Sequence, residues 1–493
     1  MGRHDSPAVP RAVRNFAMIK SAAFLLIVFS LSVVAQSRRV VPGGPTKPAA
    51  AAVDSLASDQ TAKQMFDEAN AFARNKFAEF EQKKIAYSES LRKQTIRDQK
   101  QLAAKYAGLL SAKPNLAGED LYYLGMLHWI AENFDGSVAT FLKYLADPNA
   151  VPEKVQTSRS VLVIISSKRQ DFDDAEAKLA EYLKAGPVKL SEQARMENEL
   201  AKAYLTVKEF AKAAAHAAQA FAATRSVLAD PAARSRGLDQ LIDDAMVLFE
   251  AASSSKKTAE ADAALEGLRK AAAEFQAPKV YFYAVDNQIK YMIETGRKPH
   301  AMELYAGASV VAAKDFPVKE QENEFTQLLK KREKHYKLLG EPAPELGETD
   351  RWFPGVKSTL EGLKGNVVFL DFWATWCAPC FEAFPHLSEW NEQYRADGLY
   401  VLGITRYYGM AEGFVVDREN EIAFLQRFRK ARKLDYDFAV TTDQTIQRNF
   451  GALSLPTAVI IDRKGVIRYI EAGSSPSRFD DMHKMIVKLL AEK

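Results

Sequence analysis

Trp376-Cys377-Ala378-Pro379-Cys380 holds both cysteines of the 493-residue chain, with two residues between them. The run just before, Val367-Val368-Phe369-Leu370-Asp371-Phe372-Trp373, is short and apolar and predicts a buried strand. Pro379 suits the first turn of a helix, where its missing N–H costs nothing. The two thiols therefore stand where a strand hands over to a helix N-terminus.

That placement has a chemical consequence. The nucleophile in disulfide exchange is the thiolate, and a helix N-terminus offers unpaired N–H groups and about half a positive charge to stabilise it. Lowering a thiol pKa from about 8.5 to about 7 favours the charged form by roughly 2 kcal/mol. Cys377 is expected to be the exposed, attacking thiol, and Cys380, one turn further in, the buried resolving thiol. A zinc site would need four ligands, and the chain has no second cysteine pair; of its seven histidines only His386 is near in sequence. A purely structural disulfide is also a poor reading, because so small a ring gains little from loop closure.

These residues sit in a longer pattern. Gly340-Glu341-Pro342-Ala343-Pro344, the lead-in Leu363-Lys364-Gly365-Asn366, the stretch Phe372 to Cys380, and Phe384-Pro385 follow one another in order. Leu455-Pro456-Thr457 comes later, then the apolar run Ala458-Val459-Ile460-Ile461-Asp462 and the turn Arg463-Lys464-Gly465. Taken together, residues 339–493 resemble the thioredoxin superfamily, in its branch of TlpA/ResA-like exported thiol-disulfide oxidoreductases. The resemblance implies an α/β thioredoxin-like domain, no cofactor and no metal. It gives Asp371, six residues before Cys377, the position of thioredoxin's buried carboxylate, which exchanges a proton with Cys380. It makes Pro456 a cis proline beside the disulfide, with Leu455 and Thr457 leaving backbone for an extended substrate segment. Trp376 is expected to be an exposed contact for partner proteins and Trp373 to be packed. Many ResA-like proteins place a glutamate three residues after the second cysteine. Here that position is Ala383, and Glu382 comes one residue early, about 100° round a helix. The stretch from Tyr407 to Asp437, with Tyr407-Tyr408-Gly409-Met410 and a charged helical run, is a branch-typical insertion that bears on partner choice.

The N-terminus bears on the compartment. Arg3, Arg11, Arg14 and Lys20 precede an apolar stretch from Ala22 to Ala35 broken by Ser30 and Ser32. At about 14 residues it is short for a membrane helix and suits a signal-peptide core. Residues 1–35 are read as a signal peptide cleaved before Gln36, with an uncleaved anchor as the alternative and Met18 as an alternative start. No cysteine follows the apolar core, which excludes a lipoprotein anchor. Export to the periplasm or cell envelope agrees with a chain that keeps only its working thiol pair. A net charge of +4 implies no nucleic acid.

After a linker at 36–58, residues 59–338 are rich in Ala, Lys and Glu with helical apolar spacing. A first helical stretch, about Gln60 to Ser111, is long or broken once. Three segments then repeat an order of large and small residues: Leu124-Gly125 with Phe134 to Ser137, Phe141 and Tyr144; Phe172 to Ala175 with Leu179, Tyr182 and Pro187; and Leu200-Ala201, Tyr204 with Phe210 to Ala213. Ser137, Ala175 and Ala213 recur every 38 residues, and small side chains there let paired helices approach. Tyr291 to Tyr305 is a weaker unit. The array resembles tetratricopeptide repeats, whose usual period is about 34; an irregular alanine-rich bundle is the alternative. Such arrays bind protein segments.

The expected architecture is an all-α helical repeat array followed by a C-terminal thioredoxin-like α/β domain. The expected activity is disulfide exchange with envelope proteins, as a reductant recharged by a membrane thiol carrier, with the helical repeats recruiting protein partners or acting as a spacer or dimerisation surface. The competing class is a binding scaffold with an accessory thioredoxin module. A peroxidase would want Thr-x-x-Cys, and Thr375-Trp376-Cys377 spaces its threonine wrongly.

Overall fold

The structure is a computed structural model that describes residues 60–85 and 88–492. The expected signal peptide and linker lie outside the described residues. The chain divides into two compact units at Leu268/Arg269.

The described part of the first unit is helical. Its opening stretch is broken once, into Ala62–Gln82 and Glu89–Ser111. Thr61 and Gln64 cap the first reciprocally, and the Ser88 side chain caps the second. Pairs follow: Glu119–Ile130 with Phe134–Leu145, Pro152–Arg169 with Phe172–Ala185, and Leu190–Thr206 with Phe210–Val227. The expected 38-residue period appears as geometry. Glu132, Gln170 and Lys208, equally spaced, each adopt positive φ to turn the chain between paired helices. Ser137, Ala175 and Ala213 are fully buried. Their role is clearest in the first pair, where Ser137 Oγ donates to the Gly125 carbonyl at 3.0 Å. A Cβ on Gly125 would lie 2.5 Å from the Phe141 ring, so that contact requires glycine.

The second unit opens with the helices Pro278–Glu294, Lys298–Asp315 and Lys319–Leu338. A six-stranded sheet follows in the order β1-β6-β3-β2-β7-β8, formed by β1 (Arg351–Phe353), β2 (Val367–Phe372), β3 (Leu399–Arg406), β6 (Asp437–Thr441), β7 (Thr457–Ile461) and β8 (Ile467–Ala472). The short hairpin β4 (Met410–Ala411) and β5 (Phe414–Val415) stands apart from it. β2 runs parallel to β3 and antiparallel to β7, and every residue of it is buried, which is why it reads as an apolar run broken only by Asp371. Trp373, directly after β2, is fully buried and stacks on Phe428 at 5.5 Å. Burying an aromatic side chain of about 200 Å² is worth on the order of 5 kcal/mol before entropy is counted. Gly403 on β3 makes room for it, since a Cβ there would meet Trp373 Nε1 at 2.7 Å.

The expected domain boundary at 338/339 lies inside the second of these units. The three helices from Pro278 to Leu338, which include the weak repeat unit, cluster with the sheet. A charged knot joins them to it. Glu471 on β8 is bonded to Lys290, and Arg332 Nη2 donates to it at 2.5 Å. Asp286 binds Lys290 at 2.6 Å and accepts from the Tyr336 hydroxyl at 2.7 Å. The linking segment is tied down as well, with Gly340 N–H donating to Ile467 O at 2.8 Å and Ala343 N–H to Gly465 O at 2.9 Å. Buried charges persist only when paired in this way. The partners of Glu471 come from far along the chain, so nothing local in the sequence announces the knot.

Candidate active site

β2 carries Asp371 in its interior and delivers the chain, through Trp373, to Cys377. Cys377 and Cys380 are joined in a disulfide. Cys377 sits at the N-terminal boundary of a 3-10 turn, Ala378–Glu382, which leads into the helix Ala383–Tyr394. Cys380 N–H donates to the Cys377 carbonyl at 3.0 Å. The expected position at a helix start is found, with a tight turn before the regular helix.

The expected exposure of Cys377 is not found. Its residue is 3 % exposed and Cys380 is 0 %, and both belong to the apolar cluster around Trp373 and Phe384. The disulfide holds both sulfurs in the same tight turn, so exposure does not separate the two thiols in this state.

Trp376 is exposed, at 61 %, as expected. Its ring meets Tyr408 edge-on at 5.5 Å, and the Arg406 guanidinium lies 4.2 Å over Tyr408. Tyr408 is held by backbone bonds that the sequence reading missed. Its N–H donates to Glu421 Oε1 at 2.7 Å and Gly409 N–H to Glu421 Oε2 at 2.9 Å. Glu421 is buried in the first turn of Arg418–Arg432, so the start of the insertion is clasped to the insertion's own helix beside Trp376. An acidic residue in a helix's first turn was the available signal, and it reads equally well as dipole compensation.

The Leu455–Pro456 peptide is cis, as expected. Pro456 is buried, and Thr457 opens β7 opposite Phe372 of β2. Thr457 Oγ1 donates to the Ser454 carbonyl at 2.5 Å, and Gly473 N–H to the Pro456 carbonyl at 2.7 Å. Leu455 is half-buried and Leu453, beyond it, is exposed.

Asp371 is buried between Gly403 of β3 and Ala458 of β7. Burial pushes its carboxyl up to about 8, and Oδ2 has no hydrogen-bond partner in the protein. It lines a cavity of about 10 Å³ together with Ala383, Pro456, Ser474, Phe479 and Met482. The carboxyl and the cis proline, 85 residues apart, thus share one small space beside the turn that carries the disulfide. A carboxyl that titrates near neutral pH can give or take a proton under the conditions in which thiols exchange.

Residues 339–470, which include Asp371, Cys377, Cys380 and Pro456, match the model of the AhpC/TSA family. The chain is 30 % identical over 149 residues to the thiol-disulfide oxidoreductase ResA of Bacillus thuringiensis subsp. konkukian, a match that covers 78 % of that protein and 30 % of this chain. The chain belongs to the ResA-like thiol-disulfide oxidoreductases. It is also 33 % identical to the thioredoxin-like protein YneN of Bacillus subtilis, over 72 % of that protein and 27 % of this chain. Among solved structures, a thioredoxin family thiol:disulfide interchange protein from Chlorobium tepidum is 20 % identical, with 31 % of this chain and 97 % of that one covered at a TM-score of 0.25. The family match lies in the C-terminal third of this chain. Among the described residues no helix is long and apolar enough to cross a membrane.

Proposed function

We propose that the protein exchanges disulfides with partner proteins through a mixed disulfide on Cys377, acting as a reductant. In the reduced state the Cys377 thiolate attacks a partner disulfide. The new S–S bond forms as one partner sulfur leaves as thiolate. Asp371, in its ionised form, takes the proton of Cys380, whose sulfur attacks Cys377, releases the second partner sulfur and closes the Cys377–Cys380 disulfide. Two electrons pass to the partner, and a membrane dithiol carrier returns them. The observation that carries this reading is the Cys377–Cys380 disulfide just beyond β2, with the buried Asp371 carboxyl and cis Pro456 sharing one cavity.

Trp376, Leu455, Pro456 and Thr457 supply the partner contact. The Pro456 carbonyl is already engaged by Gly473, so the backbone left to pair with an extended segment is that of Leu455. The paired helices of the first unit, with their tetratricopeptide-like order, recruit or orient partners. Export to the cell envelope, by a cleaved signal peptide or an uncleaved anchor, places a lone thiol pair where disulfides form.

The reduction potential of the Cys377/Cys380 couple, measured against glutathione or dithiothreitol redox buffers, tests the direction. A potential near that of thioredoxin, about −270 mV, supports a reductant, and one near about −120 mV, as in a strong oxidant, overturns it.

A further inference from the structure

We propose that Ser474 and Glu382 form the solvent end of a proton path to Asp371. The inference rests on the reading above, in which Asp371 serves Cys380, and it addresses what that reading leaves open: how a fully enclosed carboxyl exchanges its proton with water.

The strands on either side close the direct routes. β3 and β7 flank Asp371 with Gly403 and Ala458, and the helix Pro476–Ala491 adds Phe479 and Met482 to the cavity wall. Apart from Asp371, the cavity has one hydroxyl in its lining, that of Ser474 in the turn after β8. Ser474 Oγ donates to Glu382 Oε2 at 3.2 Å, and Glu382 is exposed. One end of the pair is in the cavity with Asp371 and the other is in bulk water. The cavity of about 10 Å³ has room for a single water, and one there would connect Asp371 Oδ2, which has no partner in the protein, to the Ser474 hydroxyl.

Ala383 lines the cavity and brings no second carboxyl to it. Glu382 instead reaches the same space from outside, through a serine supplied by a different element. Of the other titratable groups near Asp371, Tyr436 is held well above its ordinary range, by burial first and then by Asp371 itself, and stays neutral. It neither carries charge nor competes for the proton.

The step balances simply. When Cys380 gives its proton to the Asp371 carboxylate, the resulting acid must lose it again before the next turnover. The proton passes to the cavity water, the water gives one of its own to Ser474 Oγ as the Ser474 hydroxyl hands its proton to Glu382, and Glu382 releases it to solvent, so the water and the serine end as they began. No oxidation state changes along the path.

The test uses the full-length protein with insulin as the disulfide substrate. Single-turnover rates are read by acid quench and thiol alkylation from pH 5.5 to 9.5, in H₂O and D₂O. Ser474→Ala and Glu382→Gln should each slow resolution roughly three- to tenfold near pH 7 and enlarge the solvent isotope effect, a smaller loss than removal of the acid–base group itself. Ser474→Thr, which keeps the hydroxyl, should restore the rate. In an Asp371→Asn background, Ser474→Ala should have no further effect. Unchanged rates in Ser474→Ala, failure of Ser474→Thr to restore them, or an undiminished Ser474→Ala effect in Asp371→Asn would each overturn the path. Should Asp371→Asn itself keep the wild-type pH profile, the role of Asp371 falls and the path with it.

Discussion

Arg332 donates to Glu471 at 2.5 Å across 139 positions of sequence, and both side chains are largely shielded from water. Removing one member of such a pair leaves the other charged and unpaired, at a cost of about 3–5 kcal/mol. Arg332→Ala should destabilise the second unit by that order in urea unfolding, and the loss should be strongly non-additive with Glu471→Gln. Additive effects in the double-mutant cycle would show that the knot is a surface contact.

Glu471 also gives this unit an acid limit. Burial alone would raise its carboxyl, but Lys290 and Arg332 outweigh burial and hold it at about 2, below its ordinary 4.5. A carboxylate depressed on folding contributes its stability above the unfolded value and loses it as pH falls through the folded one. Unfolding free energy should therefore drop between about pH 5 and pH 2, and the drop should be smaller in Glu471→Gln. Equal acid sensitivity in the two proteins would contradict this.

Asp371 acts with the opposite sign. Its carboxyl is raised from 3.8 to about 8 by burial, so the folded state holds a proton that the unfolded chain has released. Stability then falls as pH rises from about 4 to about 8 and is level above that. Asp371→Asn should flatten this slope and be more stable than the parent at pH 7 by a few kcal/mol, while turning over more slowly. A parallel pair of pH–stability curves would count against a raised carboxyl.

Cys377 and Cys380 are both buried when oxidised, so their reactivities must be separated by charge stabilisation at the turn rather than by access. Brief alkylation of the reduced protein at pH 6–7 should label Cys377 first, and Cys380→Ser should accumulate mixed disulfides through Cys377. Preferential labelling of Cys380 would reverse the roles.

In the first unit, Gly125→Ala would force a Cβ to within 2.5 Å of the Phe141 ring. Overpacking of this kind costs about 1–3 kcal/mol. Thermal melting of the helical signal should shift down accordingly, whereas Gly108→Ala, with open space at its Cβ, should not lower it.

What the sequence disclosed was mostly local. The apolar run at 367–372, Trp373, the thiol pair and Leu455-Pro456-Thr457 each announce themselves within a few residues, because strand burial, turn chemistry and thiol spacing are short-range properties. The 38-residue recurrence of Ser137, Ala175 and Ala213 was legible because a repeated packing constraint repeats its residue. Glu132, Gln170 and Lys208 were not, since left-handed turns at non-glycine residues leave no compositional mark. The Glu471 knot, the Glu421 clasp on Tyr408 and the Ser474–Glu382 bond were also hidden. Each joins residues from separate elements, and a charged residue in a helical segment reads as solvated until its partner is placed.

Trp376 stands beside Cys377 with most of its indole in water, while Trp373 and Trp390 are buried. A disulfide quenches a neighbouring excited indole by accepting an electron, and a dithiol does so far less. The emission of Trp376, shifted to longer wavelength than that of the enclosed tryptophans, should brighten on reduction. Such brightening, followed during titration with dithiothreitol, would serve as an optical gauge of redox state that needs no label; unchanged emission would rule it out.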